Sequence, residues 1–243
     1  MTALPFGHQR VDRSLAAAGA LGPFFRVDDH PSPDWTSWAA LSTDPKALRF
    51  RTEEVHAALA AWKPVPDIEP AVVASLTHLG LVARLVSPLL GAALLSGVLP
   101  VTPVENVHVH LTGANPLPLA LSATSAVAVG SAEELADALH LHWLTPAVRP
   151  LTAAVRAVCS VSPRLLDGNV TSAVAGALRM AGVARPELAA RADAVLDALL
   201  RSGPLEGTGR RREDGSFVRR SCCLCYRLPD AGTCGDCILD ARR

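Results

Sequence analysis

Apolar positions along the chain recur mostly at helical spacing, and a few short stretches alternate instead. Residues 10–21 predict a short helix. Phe24–Val27 runs into Asp28-Asp29-His30-Pro31-Ser32-Pro33, an extended, turn-rich connection. Thr52 reads as an N-cap, with Glu53 and Glu54 in the first turn of a helix ending near Trp62. Pro64, Pro66 and Pro70 then break the chain. From Ala71 to Leu99 the pattern is apolar and helical, with an expected interruption at Ser87-Pro88. The second half of Val104–Leu111 alternates at period two, and Leu117–Val129 is rich in Ala, Val and Thr. With Gly113–Pro116 as the turn, these two segments predict a β-hairpin.

Ser131-Ala-Glu-Glu134 has the form of a capping box and opens a helix to about Trp143. Helices are expected over Pro150–Cys159, from Asn169 onward with Asp167, Gly168 or Asn169 as cap, and from Pro186 to Arg201. Val170, Val174, Ala177 and Leu178 share one face of the second; Leu188, Ala192, Val195, Leu196 and Leu199 form the buried stripe of the third. Beyond Ser202-Gly203-Pro204 the character changes. Glu206–Ser216 is polar and reads as an exposed loop, followed by a cysteine-rich tail. The fold class expected is α+β: a mainly helical domain over 1–205 with a small β-hairpin or sheet, and a cysteine-rich segment over 206–243.

Composition narrows the possible functions. The chain has 243 residues, 49% apolar and 19% charged, enough for a sizeable core without disulfides. Its 23 basic and 23 acidic residues cancel, which argues against a protein that binds nucleic acid by neutralising phosphates. Mean hydropathy is +0.26, so the membrane has to be considered. Leu85–Val104 is uncharged, but Pro88, Gly91, Gly97, Pro100 and Pro103 argue against an unbroken spanning helix. That stretch and Leu111–Ala132 are expected as buried core, with peripheral membrane association left open. The N-terminus lacks the pattern of a secretory signal, so a cytoplasmic protein is expected.

Five of the six cysteines fall between Cys222 and Cys237; Cys159 stands apart and reads as a small core residue. A reducing compartment favours a metal or redox site over disulfides. Two ligand sets compete on spacing. Cys222, Cys225, Cys234 and Cys237 form two knuckles of the kind found in tetrahedral zinc sites. Cys222, Cys223, Cys234 and Cys237 give C-C-x10-C-x2-C, whose adjacent pair suits a centre with two metal ions better than one. Gly232 and Gly235 allow close approach of backbone N–H groups to sulfur, and Arg219, Arg220 and Arg227 can offset thiolate charge. His108 and His110 share a strand face, while His140 and His142 fall on different helix faces; polar surface is the expectation for both pairs. Trp35, Trp38, Trp62 and Trp143 are expected in the core or at its rim. Gly207-Thr208-Gly209 is no dinucleotide fingerprint, and neither a P-loop nor a nucleophile elbow occurs.

The tail Arg219-Arg220-Ser221-Cys222-Cys223-Leu224…Cys234-Gly235-Asp236-Cys237-Ile238-Leu239 resembles the C-terminal signature of the FhuF-like ferric siderophore reductases. Asp167–Ala173 and Ala83–Pro88 are similar to actinobacterial-type members of that family. The resemblance implies a [2Fe-2S] cluster on Cys222, Cys223, Cys234 and Cys237, leaving Cys225 unused. It implies one-electron reduction of a ferric siderophore in the cytoplasm, with electrons from an external ferredoxin or flavin reductase. The alternatives are an interaction module stapled by zinc, in which Cys225 is needed, and an iron–sulfur redox sensor.

Overall fold

The most apolar stretch of the chain becomes the central element of the fold. In the computed structural model, which describes residues 8–62, 67–122 and 125–240, α4 (Pro70–Ser96) is an uninterrupted helix of 27 residues. Pro70 supplies a favourable first-turn residue, and Gly97 ends the helix in the left-handed conformation, φ 69°. The expected break at Ser87-Pro88 is absent. Pro88 lies inside the helix, where buried neighbours on every side hold it. α4 is thus long and apolar enough to cross a bilayer, but 72% of its most apolar window is buried within the protein, as in a core helix.

Around α4 pack α1 (His8–Ala18), α3 (Pro45–Trp62) and α7 (Pro163–Ala184), the last making its most extensive helix contact. α2 (Trp38–Thr43) and α6 (Arg149–Val158) pack together, and α5 (Ala132–Leu139) lies against α8 (Ala189–Arg201). A π-helical stretch, His140–Val148, joins α5 to α6. Leu85, Val86, Leu89, Leu90, Leu139 and Trp143 are among the fully buried residues of one large core. A smaller cluster of Val55, Ile68, Val72, Val73 and Leu228 lies where the tail meets α3 and α4.

The sheets are short and antiparallel. β1 (Thr36–Ser37), β3 (Val107–Val109) and β4 (Leu119–Leu121) form one in the order β1-β3-β4. β2 (Val98–Val101) pairs with β5 (Ser125–Ala128), and β6 (Gly209–Arg211) with β7 (Phe217–Arg219). The expected hairpin exists as β3–β4, with His108 opposite Ala120. The later part of its second segment turns away to pair with β2. Together these elements give the mainly helical α+β class.

Three element boundaries differ from expectation. α3 begins at Pro45, so Thr52 is internal; its hydroxyl donates to the Leu48 carbonyl instead of capping. α7 begins at Pro163, so Asn169 is buried mid-helix. The supposed loop Glu206–Ser216 contains β6. The capping box is present: Ser131 Oγ accepts from Glu134 N–H at 3.0 Å, and Glu134 accepts from Ser131 N–H at 3.2 Å. Pro64 and Pro66 lie outside the described residues.

Candidate iron–sulfur site

The cysteine tail docks on α7 because that helix has no side chain at Gly168. A Cβ there would stand 2.0 Å from Ser221 Oγ and 2.9 Å from Arg219 Nη2. Arg219, at the end of β7, thereby reaches the interior and is only 1% exposed. Its Nη2 donates to Leu165 O at 3.1 Å and Asn169 Oδ1 at 2.7 Å. Asn169 Nδ2 in turn donates to the Ser75 carbonyl on α4 at 2.9 Å. Ser75 Oγ donates to the backbone carbonyl of Cys223 at 2.8 Å. A hydrogen-bonded chain thus runs from the two central helices into the cysteine loop.

Within that loop, Leu224 adopts the left-handed conformation, φ 67°. The turn bends the chain directly after the adjacent cysteines and leads into the single helical turn Cys225–Arg227. Leu224 N–H donates to Cys222 Sγ, and Leu239 N–H to Cys237 Sγ, each at 3.3 Å. Cys225 N–H likewise favours the Cys223 thiolate, so the N–H groups that reach sulfur belong to residues two after each cysteine, and Gly232 and Gly235 are not among them. Cys223 and Cys234 meet at 3.4 Å. Cys223 and Cys237 are buried, while Cys222, Cys225 and Cys234 are half-buried.

The electrostatics follow from this arrangement. The Cys223–Cys234 pair shares a proton, so the hydrogen bond from Cys234 draws the Cys223 thiol down to about 6 while Cys234 is pushed up. Burial raises the thiols of Cys222 and Cys225, and both also feel Cys223 and Cys237. Arg219 favours the thiolate at Cys222 and Cys223. Arg227, by contrast, pairs with Glu69 at 2.5 Å on the surface, and Arg220 is exposed.

Arg219 also provides a test of whether a cluster fits. Its Nε and Nη1 are buried without a hydrogen-bond partner, and the partners of Nη2 are all uncharged. A buried cation without a counter-charge is costly. A centre held by four thiolates supplies the missing negative charge beside it. A two-iron centre needs only two thiolates per metal, and Cys223 with Cys234 makes one such pair. The donors present fit a [2Fe-2S] group.

The remaining candidates do not join this site. His110 Nε2 lies 3.3 Å from Asp34, and its ring stands near Trp35. Trp38 and Trp143 are buried and donate to the Ala147 and Pro100 carbonyls, whereas Trp62 is exposed. Cys159 is half-buried against the main core. Nothing in the residue pattern singles out Ser75, or His78, which is fully buried with Nε2 2.9 Å from Thr152 Oγ1. Both lie on a helix whose apolar pattern marks only core.

Residues 219–237, which contain the four cysteines of the C-C-x10-C-x2-C set, match the FhuF 2Fe-2S C-terminal domain family. The match points to a [2Fe-2S] cluster and supports the FhuF-like resemblance over this segment. No curated protein matches the chain.

Proposed function

We propose that this protein is a cytoplasmic ferric-siderophore reductase, in which residues 1–205 bind the chelate and 206–243 hold the cluster on Cys222, Cys223, Cys234 and Cys237. The observation that carries the reading is the uncompensated Arg219 beside those cysteines, within the segment that matches the 2Fe-2S domain. A bound [2Fe-2S] group supplies one electron at a time, the number that separates Fe(III) from Fe(II), and an external ferredoxin or flavin reductase replenishes it. Ferric iron is a hard ion held by oxygen donors; the softer ferrous product is held less tightly and exchanges. The chain's own part is to hold four thiolates in a pocket with a fixed cation, and to keep that pocket at the surface, where Cys222 and Cys234 remain half-exposed. The likeness of Asp167–Ala173 and Ala83–Pro88 extends the proposal to an actinobacterial-type member. In the structure those patches hold Asn169 and the buried Arg84, which donates to the Phe24, Arg26 and Leu117 carbonyls.

The test is the absorption spectrum of anaerobically purified protein before and after dithionite, with iron, sulfide and zinc assayed on the same sample. A bleaching chromophore with two irons and two sulfides per chain is expected. Cys223→Ser should abolish it and Cys225→Ser should keep it. Reduction of a ferric trishydroxamate is then followed with a ferrous-specific chelator. A colourless zinc protein that needs Cys225 would overturn the reading.

A further inference from the structure

The cysteine loop forms part of the wall of a groove along α7. One cavity of about 650 Å³ is lined by Gly235 and Asp236, which lie between Cys234 and Cys237, and by Asp193, Arg211 and Asp214. A second, of about 450 Å³, is lined mainly by apolar groups, among them Leu21, Phe24, Leu76, Ala83 and Met180. The two share Leu79, Ser172, Gly176 and Arg179 as walls, so they are two lobes of one groove. Sites for small molecules have this size and this mixture of apolar lining with a few polar groups.

Gly176 stands at the junction. It lies in the interior of α7, where glycine weakens a helix, and its φ is not in the left-handed region. A Cβ at this position would meet nothing within 4 Å, so no packing contact within the protein requires glycine. What the missing side chain preserves is open space where the lobes meet. Arg179, one turn further on, is exposed and free of hydrogen bonds and ion pairs among the described residues. The polar lobe sets Asp193, Asp214 and Asp236 against Arg179 and Arg211, a slight acidic excess that suits an uncharged chelate better than a polyanion.

We propose that this groove, whose wall residues 1–205 share with the cysteine tail, binds an uncharged ferric chelate bearing an apolar arm, with the chelate beside Gly235 and Asp236 and the arm between α4 and α7. The role of the iron rests on the reductase reading; the binding does not.

The test uses gallium(III), which takes the place of ferric iron without being reduced. Dissociation constants are measured on the cluster-loaded protein for the gallium chelates of a linear trishydroxamate capped with acetyl or with decanoyl. The decanoyl form should bind at least about tenfold tighter, since each buried methylene contributes roughly a factor of four. Gly176→Leu should remove that advantage, while Gly176→Ala, which adds little bulk, should keep most of it. A gallium triscatecholate trianion should bind more weakly than either. Equal affinity for the two caps, or a folded Gly176→Leu protein that binds like wild type, overturns the proposal. Reduction of ferric chelates with no preference for the arm would sink the groove and leave the reductase. Arm-dependent gallium binding without ferric reduction would support the groove and sink the reductase.

Discussion

Arg219 and His78 carry the two sharpest expectations for single residues. A fixed positive charge favours the reduced, more negative form of a neighbouring redox centre. Arg219→Gln should therefore lower the reduction potential, by about 60 mV for a tenfold change in the one-electron equilibrium. Arg219→Lys should lie closer to wild type. A redox titration followed by absorbance measures both. His78 is neutral because burial, together with the charge of Arg219, depresses its pKa to about 3. Thr152 donates its hydroxyl to Val148 O, so His78 Nε2–H is the donor in their contact and Nδ1 stays unpaired. The unfolded imidazole protonates below about 6.5, whereas the folded one does so only near 3. Stability from this residue is therefore present above pH 6.5 and is lost as the pH falls toward 3, by a few kcal/mol in all. Urea midpoints at pH 7 and pH 5 should differ more for wild type than for His78→Gln.

At the scale of elements, two of the three glycines of α7, Gly168 and Gly176, have opposite duties. Gly168→Ala drives a methyl group into Ser221 and Arg219, and should cost about 1–3 kcal/mol together with much of the bound iron. Gly176→Ala meets open space and should stabilise the helix by about 0.5–1 kcal/mol. Thermal unfolding and iron content of the two variants decide the matter.

The same helix shows what a sequence can and cannot reveal. Its face of Val170, Val174, Ala177 and Leu178 is legible from spacing, and all four are buried. Asp167-Gly168-Asn169 imitates a cap because nothing local discloses that Arg219, fifty residues later, is the partner of Asn169. Pro88 misleads in the same way. A proline is a reliable local breaker, but tight burial on all sides outweighs its lost hydrogen bond. The β6–β7 hairpin is hidden because its strands have only three residues each and much of that stretch is charged. The capping box and the cysteine spacing are legible because their partners lie within a few residues of one another. The groove is not, since its walls come from seven separate stretches of chain.

For the molecule as a whole, apolar burial is unevenly divided. The main core draws on α1 to α8, whereas beyond residue 205 the buried apolar or sulfur-bearing side chains among the described residues are Val218, Cys223, Leu228 and Cys237. Stripping the cluster with a chelator and an oxidant should leave far-ultraviolet circular dichroism nearly unchanged. Tryptic cleavage should then rise within the tail, at Arg210–Arg212, Arg220 or Arg227, and mass spectrometry of the fragments would locate it. A parallel loss of helicity would mean that the tail supports the body and does not merely rest on it.

The Ser75–Cys223 bond bears on how fast the site can work. Electron exchange slows when atoms must shift each time the charge changes. The backbone beside Cys223 is fastened to α4, and through Asn169 and Arg219 to α7, the most extensive helix pairing in the fold. A centre mounted on that frame is held in nearly the same surroundings in both oxidation states. Its reorganisation energy should be small, so that under the proposed reductase function turnover would be paced by the arrival and departure of substrate and electron donor, with the electron's passage through the loop the quicker step.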